Sequence, residues 1–404
     1  MDDATALLIT YMGPDRPGLT AGLCETLDAR GARILDMEQV SIRHRLALGV
    51  LASVGEDESE TRAALAATAA SFDATLDFET MAARRPGAEQ PRHYVVVLGQ
   101  PLRARAMAAV TTRITGCGAT VDRIVRLSRY PVTSFELVVS GGDSEKLRSE
   151  LSQTAVEERI DVGVQRATIY RRAKRLIVMD VDSTLVQGEV IESLAAHAGH
   201  DGEVAAITER AMSGEIDFEG ALRERVALLE GLPESTIHDV RRDIVLTPGA
   251  RTVIRTLKRL GYVLAIVSGG FSQITDSLQE DLGIDYALAN TLEVVDGVLT
   301  GRLTGEIVDR PGKARALERF AAETGVPLSQ TVAVGDGAND LDMLNRAGLG
   351  IAFNAKPVVA EAADTAVSVP YLDAVLFLLG ITREEIEAAD AEDTTSPTRL
   401  TLGD

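Results

Sequence analysis

The sequence has no tryptophan, only two cysteines and no apolar run long enough to cross a bilayer, so we expect no membrane association. Cys24 and Cys117 have no neighbouring His or Cys that would suggest a metal site. They predict free thiols in a cytoplasmic protein rather than a disulfide framework. The start, Met1-Asp2-Asp3-Ala4, lacks the basic segment of a secretion signal, so none is expected.

Positive charge is also scarce, because 41 Lys and Arg stand against 61 Asp and Glu, for a formal net charge of −20. This excess of acid disfavours nucleic acid or anionic lipid as the main partner. A small soluble molecule is the expected substrate. Acidic residues are concentrated near the end of the chain, and we expect residues 384–404 to form an acidic, flexible tail.

The first part of the chain carries one pattern twice. A strand-like run at 6–11 is followed by an amphipathic helical stretch at 19–29, and a shift of 87 residues places 94–98 on the first run and Ile114 on Leu27. Each copy continues with further strand-like segments and a second helical stretch. The sequence therefore predicts two βαββαβ modules of ferredoxin-like fold, at 1–85 and 92–170, joined by an Arg- and Pro-rich linker.

The duplicated pattern resembles paired ACT domains, which sense amino acids in metabolic enzymes. The resemblance is most specific at 13–19, Gly-Pro-Asp-Arg-Pro-Gly-Leu, and implies that Asp15 and Gly18 contact an amino-acid effector. Glycine would let the backbone approach the ligand, although an ordinary turn into a helix explains it as well. In the second copy Arg105 replaces Gly18, so that copy is expected to pack rather than bind.

From Arg175 onward, strand-like and helical stretches alternate, which predicts an α/β fold with a doubly wound parallel sheet at 174–380. Three nearly continuous apolar runs, 176–179, 262–267 and 331–334, are typical of strands covered on both faces. Polar or glycine residues follow each run at once. These residues would lie at the carboxyl ends of the strands, where such sheets bind ligands. The mostly helical segment 189–244 is too long for a simple crossover and predicts an inserted cap.

The ends of two of these runs carry clustered acids. Asp180 and Asp182 follow the first run, with the hydroxyl of Thr184 behind them, and the third run leads into Gly-Asp-Gly-Ala-Asn-Asp at 335–340. Unpaired carboxylates beside a core are unfavourable, and a divalent cation would compensate them. Carboxylate and amide oxygens suit Mg²⁺, so the pattern predicts a metal-assisted phosphoryl-transfer site.

Two further elements are ambiguous when taken singly. The backbone N–H groups of Ser268-Gly269-Gly270-Phe271 could bind an anion, but such a motif more often forms an ordinary turn. Lys313, between the second and third runs, could be a surface lysine. With the two acidic motifs, in this order and at strand ends, they resemble the phosphoserine phosphatase branch of the haloacid-dehalogenase superfamily.

The resemblance implies a role for each acid. Asp180 would be the nucleophile that forms an aspartyl-phosphate, and Asp182 would protonate the leaving oxygen and then deprotonate water. Mg²⁺ would be held by Asp180, the backbone carbonyl of Asp182 and Asp336, with Thr184 in support.

The same resemblance implies how the phosphate is held. Ser268, Gly269 and Lys313 would bind its oxygens, with the lysine placing positive charge where negative charge spreads. Asn339 and Asp340 would orient Lys313 and the metal, and Asn339 would count among the substrate-binding residues.

Helical geometry selects candidate specificity residues in the cap. On the helix with the apolar face that starts at Phe218, Arg225 lies about 20° from Phe218 and Arg223 about 140° away. Arg225 is therefore expected to face the site and bind a substrate carboxylate, and Glu189 to bind an α-ammonium group. The alternative is that both form ordinary surface pairs. The resemblance adds Met212 and Phe218 as an apolar lid.

The expected activity is a Mg²⁺-dependent phosphoserine phosphatase completing serine synthesis, with L-serine as the implied feedback effector and a homodimer formed through the ACT-like modules. One alternative keeps the fold and acts on another phospho-amino acid or a phosphoprotein, or transfers phosphate to homoserine. The other is an amino-acid-sensing regulator with a silent phosphatase domain. The intact set of Asp180, Asp182, Lys313 and Asp336 disfavours the silent regulator.

Overall fold

A computed structural model describes residues 5–54, 57–82, 90–168, 173–212 and 215–392. The chain divides into two compact units, Met1–Gln90 and Pro91–Asp404. The boundary falls in the predicted linker, whereas the second ACT-like module and the phosphatase domain form one unit. Among the described residues, no helix combines the length and the apolar character needed to span a membrane.

The first unit is a four-stranded antiparallel sheet with strand order β2-β3-β1-β4 and two helices. Side chains that alternate along the strands, such as Leu7 and Ile9, form its core with the apolar faces of both helices. The predicted ferredoxin-like βαββαβ order is confirmed. The elements are β1 Thr5–Pro14, α1 Leu19–Ala29, β2 Arg33–Ile42, β3 Arg45–Ser53, α2 Glu58–Ala70 and β4 Asp77–Ala82.

The second unit begins with the same arrangement, in strand order β6-β7-β5-β8. The 87-residue shift holds for the helices, where Leu27 and Ile114 are both buried. In the first strand the matching core residues are Leu7 and Val95, so the shift there is one residue larger than in the helices. The difference matters, because a shift of one residue moves a side chain to the opposite face of a strand. The elements are β5 Arg92–Gly99, α3 Ala104–Gly116, β6 Ala119–Ser128, β7 Thr133–Gly141, α4 Ser144–Glu158 and β8 Asp161–Arg166.

The phosphatase domain contains a seven-stranded sheet with strand order β12-β11-β10-β9-β13-β14-β15. All neighbouring strands are parallel except β12, which is antiparallel to β11. The three predicted apolar runs lie side by side at the centre, as β10, β9 and β13. The strands are β9 Leu176–Met179, β10 Val263–Phe271, β11 Tyr286–Val295, β12 Val298–Thr304, β13 Thr331–Gly335, β14 Gly350–Phe353 and β15 Thr365–Val367.

Helices cover both faces of this sheet, which confirms the doubly wound fold. The helices are α9 Ala250–Arg259, α10 Ser272–Leu282, α11 Arg310–Thr324, α12 Leu341–Arg346, α13 Pro357–Ala362, α14 Ala374–Leu378 and α15 Arg383–Glu392. Ile177 and Met179 pack with α9 and α10, whereas Leu176 and Val178 pack with α11 on the opposite face.

In its described residues, the predicted cap region contains four α-helices between β9 and α9: α5 Val190–Ala198, α6 Asp201–Met212, α7 Phe218–Ala227 and α8 Ser235–Asp243. The loop after α7 is hydrogen-bonded to the β11–β12 hairpin. Gly231 N–H donates to the Leu299 carbonyl, and Leu299 N–H donates to the Leu232 carbonyl, both at 2.9 Å. The hairpin therefore supports one side of the cap.

The sheet of the second ACT-like module shares a core with the phosphatase domain. Val96 and Leu98 belong to the same apolar cluster as α14. Along the edge of the sheet, Ser368 N–H donates to Asp161 at 2.8 Å, and Gln165 Nε2 donates to the Leu378 carbonyl at 2.9 Å. This copy thus packs against the phosphatase domain through its sheet. The expectation that it does not bind an effector stays a prediction.

The prediction of a flexible tail from residue 384 is wrong for residues 384–392, which belong to α15. Ile386 is buried, and the acids of this helix meet arginines that lie far away in sequence. Asp390 pairs with Arg255 and Arg259, and Glu384 lies 3.8 Å from Arg126 on β6. A segment rich in acidic residues is expected to extend into solvent only where no basic side chains lie near enough to pair with it. Residues 393–404 lie outside the described part of the chain.

Candidate active site

Three carboxylates converge at the carboxyl ends of β9 and β13. Asp180 follows β9, and Asp336 and Asp340 follow β13; one oxygen of each lies within 4.8 Å of the others. Pairing of Met179 with Val334 brings the two strand ends together. Gly335 makes room for the cluster, because a Cβ there would lie 2.4 Å from Asp340 Cγ. The pairing of the two strands and the glycine at 335 therefore hold these acids close together.

Lys313 reaches this cluster from the first turn of α11 and is 1% exposed. Its Nζ lies 2.7 Å from an oxygen of Asp180 and 2.7 Å from an oxygen of Asp340. Burial opposes the charge on Lys313, but the two carboxylates outweigh it and raise the pKa of the ammonium group. Lys313 is thus oriented by Asp340, whereas the Asn339 carboxamide lies against Gly337.

One ammonium group does not balance three carboxylates. Burial and the nearby Asp340 raise the pKa of Asp180, against the opposing effect of Lys313. Burial and Asp340 also raise the pKa of Asp336 to about 6, although the Thr184 hydroxyl donates a hydrogen bond to it at 3.1 Å. The remaining negative charge and the hard oxygen donors fit a divalent cation such as Mg²⁺.

The Asp182 carboxylate lies apart from this cluster. Its Oδ1 accepts a hydrogen bond from Val190 N–H at 2.8 Å, and its Oδ2 accepts one from the Ser268 hydroxyl at 2.9 Å. Ser268 Oγ in turn accepts a hydrogen bond from Gly270 N–H at 2.7 Å. Asp182 therefore joins the first helix of the cap to the glycine loop, residues 268–270, near the end of β10.

The cap presents Phe218 and Arg225 on one side of α7. A Cβ on Gly269 would lie 3.1 Å from Phe218 Cζ, so the ring covers the glycine loop. Arg225 is half-buried, and its burial lowers the pKa of the guanidinium while Glu189 opposes that shift. Arg223 is exposed and pairs with Glu219 at 2.7 Å. Met212 ends α6, and its side chain lies outside the described part of the structure.

Glu189 immediately precedes α5, the first helix of the cap. Solvent still reaches its side chain, but partial burial raises its pKa to about 7, with further repulsion from Asp182 and Asp336. The Ser183 hydroxyl donates to it at 3.4 Å. A cationic group bound here would favour the ionised carboxylate.

Asn290 is a component of the site that the sequence analysis missed. It lies in β11 and is 2% exposed. Its Nδ2 donates to the Gly269 carbonyl and its Oδ1 accepts from Val308 N–H, both at 2.8 Å. A carboxamide directly after the apolar run 286–289 is the signal that could have identified it.

The proposed effector residues lie in the first unit. Gly18 precedes α1 with a φ of 91°, a left-handed conformation that favours glycine with or without a ligand. Asp15 accepts a hydrogen bond from the Ser41 hydroxyl at 3.5 Å. In the second copy Arg105 pairs with Glu158 at 2.8 Å.

Comparison with known protein families matches all three parts of the chain. Residues 177–345 match the haloacid dehalogenase-like hydrolases, and residues 5–79 and 91–165 each match an ACT domain. A solved structure, a probable phosphoserine phosphatase from Vibrio cholerae, is 36% identical with a TM-score of 0.57, covering 74% of this chain and 88% of that one. A haloacid dehalogenase family hydrolase from Salmonella enterica gives a TM-score of 0.63 at 26% identity, covering 71% and 98%.

Two curated relatives match nearly end to end. The phosphoserine phosphatase of Streptomyces coelicolor is 58% identical over 96% of this chain and 95% of its own length. The phosphoserine phosphatase of Mycobacterium tuberculosis is 53% identical over 97% of both chains. The chain therefore belongs to the phosphoserine phosphatase family of haloacid dehalogenase-like hydrolases, with two ACT domains ahead of the phosphatase domain.

Proposed function

We propose that the protein is a Mg²⁺-dependent phosphoserine phosphatase that hydrolyses O-phospho-L-serine to L-serine and phosphate through an aspartyl-phosphate. The observation that carries this proposal is the buried contact of Lys313 with Asp180, beside Asp336 at the strand ends. It pairs a carboxylate nucleophile with the positive charge that a transferring phosphoryl group requires. The names of the relatives support the same substrate.

In the proposed reaction an oxygen of Asp180 attacks phosphorus, and the bond from phosphorus to the serine oxygen breaks. Asp182 acts as the general acid that gives a proton to that oxygen, and L-serine leaves. Asp182 then accepts a proton from water as the water oxygen attacks phosphorus, which releases phosphate and restores Asp180. Asp180, Asp336 and the backbone carbonyl of Asp182 would hold Mg²⁺, which supplies charge neutralisation between phosphate and carboxylates.

Ser268, the Gly269 backbone and Lys313 bind the phosphate oxygens in this proposal. Arg225 binds the serine carboxylate bidentately, and Glu189 binds its ammonium group. The half-buried guanidinium of Arg225 and the raised pKa of Glu189 support this pairing, because each gains from an opposite charge in the cleft. In this proposal Phe218, which covers Gly269, excludes water from the bound substrate.

We further propose that L-serine acts as a feedback inhibitor at Asp15 and Gly18 of the first ACT domain, and that the enzyme is a cytoplasmic homodimer. The free thiols Cys24 and Cys117 support a reducing compartment. Phosphoserine hydrolysis is to be measured with and without L-serine, alongside light scattering after size exclusion. If L-serine inhibits the parent protein and inhibits Gly18→Val less, the result supports the regulatory site. Equal inhibition of the two proteins would contradict it.

The nucleophile assignment is tested by Asp180→Asn, with Asp342→Asn as control. Asp342 forms an exposed pair with Arg310 at 2.6 Å and stands outside the carboxylate cluster. Phosphate release from phosphoserine with added Mg²⁺ is expected to disappear in Asp180→Asn and to persist in the control. Retained hydrolysis in Asp180→Asn would refute the mechanism. Comparison of kcat/KM for phosphothreonine and a phosphopeptide separates the alternative substrates.

A further inference from the structure

The glycine loop, residues 268–270, lies near the end of β10 and is left without regular strand pairing. Val267 pairs with Leu288 and Phe271 pairs with Asn290, so three residues of β10, 268–270, face a single residue of β11. A loop that bulges from a sheet loses backbone hydrogen bonds that would fix its peptide groups. The Asn290 side chain replaces one of them, since its Nδ2 donates to the Gly269 carbonyl at 2.8 Å.

The peptide between Gly269 and Gly270 is thus held at both ends. Asn290 Nδ2 donates to the Gly269 carbonyl oxygen, and Gly270 N–H donates to Ser268 Oγ at 2.7 Å. The Ser268 hydroxyl donates in turn to Asp182. Rotation of this peptide would redirect both the Ser268 hydroxyl and the backbone N–H groups of the loop.

The other end of the carboxamide holds the approach to α11. Asn290 Oδ1 accepts from Val308 N–H at 2.8 Å, and Val308 immediately precedes Asp309. Asp309 caps α11 by accepting from Gly312 N–H at 2.7 Å, and its carbonyl accepts from Lys313 N–H at 2.9 Å. Fixing Val308 therefore fixes the first turn of the helix that carries Lys313.

We propose that Asn290 is a positioning residue that holds the Gly269 loop and the start of α11 at the separation needed to bind phosphate. This inference rests on the proposed function, in which Ser268, Gly269 and Lys313 bind the phosphate. Asn290 acts through Gly269 and Val308 and does not touch the substrate. A carboxamide suits this role, because it supplies a donor at one atom and an acceptor at the other.

The test compares Asn290→Leu, which removes both hydrogen bonds, with Asn290→Asp, which keeps an acceptor for Val308 but places an oxygen against the Gly269 carbonyl. The matched control is Gln273→Leu. Gln273, on α10, is a half-buried amide whose Nε2 donates to the Leu292 carbonyl at 2.9 Å. Leu292 lies in the same strand as Asn290, but this hydrogen bond involves neither Gly269 nor Val308. Binding of inorganic phosphate is measured by calorimetry with Mg²⁺, together with kcat, KM and Tm.

We expect both Asn290 variants to bind inorganic phosphate about tenfold or more weakly and to lose about 10- to 100-fold in kcat. The Tm of the control is expected to fall, while its phosphate affinity and kcat stay within about twofold of the parent values. Phosphate affinity and kcat within twofold of the parent in Asn290→Leu would overturn the proposal, and so would failure of both Asn290 variants to fold. If the parent protein binds phosphate but leaves phosphoserine intact, the proposed function fails, whereas the phosphate titration still decides the role of Asn290.

Discussion

At the scale of single residues, two acids that are close in sequence have different surroundings. Asp180 is buried against Lys313, whereas Asp182 lies between the glycine loop and the first helix of the cap. The sequence predicted that both acids would lie at the end of a strand, because a buried strand leads directly into them. It could not predict the partner of each, since Lys313 and Ser268 come from later segments.

Removal of the buried ammonium group in Lys313→Met leaves Asp180 and Asp340 without their counter-charge. We expect kcat to fall by about 10²- to 10³-fold and the free energy of unfolding in EDTA to fall by about 3 kcal/mol. Chemical denaturation and steady-state kinetics measure the two effects. The control Lys258→Met removes an exposed pair with Asp285 and is expected to cost about 1 kcal/mol or less. Equal losses in the two variants would contradict the role of burial.

Glu189 is expected to give phosphoserine hydrolysis a pH dependence. Its pKa of about 7 means that it is neutral below and ionised above that pH, and only the ionised form attracts an ammonium group. The kcat/KM for phosphoserine is therefore expected to rise about tenfold between about pH 6 and pH 8. In Glu189→Gln that rise should flatten, although the substrate phosphate still titrates near a pKa of about 6. A Gln variant with the parent profile would exclude Glu189 as the cause.

At the scale of elements, the cap is supported by the β11–β12 hairpin. Backbone hydrogen bonds join Leu299 to Gly231 and Leu232. Gly301 passes close to the end of α7. A Cβ on Gly301 would lie 3.0 Å from Glu230 Cβ and 3.2 Å from the Ala227 carbonyl. Periodicity identified the helices of the cap, but a contact between hairpin and cap depends on how distant segments pack.

Gly301→Ala is expected to displace the end of α7 and to raise the KM for phosphoserine about tenfold, because Arg225 lies on that helix. Gly297→Ala is a matched control from the same hairpin. Both glycines have a left-handed φ, of 73° and 76°, so both variants carry similar backbone strain. Nothing lies within 4 Å of a Cβ at Gly297. Kinetics that change equally in both variants would show that strain alone is responsible.

At the scale of the whole molecule, the second ACT domain and the phosphatase domain share one core. β8 approaches β15 so closely that a Cβ on Gly163 would lie 2.6 Å from Thr365 Oγ1 and 3.0 Å from Leu378 Cδ2. The C-terminal helix α15 adds a second link, since its acids pair with Arg126 on β6 and with Arg255 and Arg259 on α9. The second ACT domain thus contributes to the stability of the phosphatase domain.

Gly163→Ala is expected to overpack this interface and to lower the Tm of the phosphatase transition by about 2–6 °C, as a loss of about 1–2 kcal/mol would. Gly49→Ala is the control, because Gly49 also lies in a strand and a Cβ there meets nothing within 4 Å. Differential scanning calorimetry measures both. An unchanged transition in Gly163→Ala would show that the interface is loosely packed.

The sequence by itself determined the fold class, the order of the domains and the placing of the acids, Ser268 and the glycine loop at strand ends. Apolar periodicity and the residues directly after a strand are local features, so they can be read without knowing the packing. Only the tertiary structure decided that Asn290 binds the glycine loop, that α15 binds arginines of α9 and β6, and that the second ACT domain joins the phosphatase core. Each of these depends on partners far apart in the chain, whose proximity follows from packing rather than from sequence spacing.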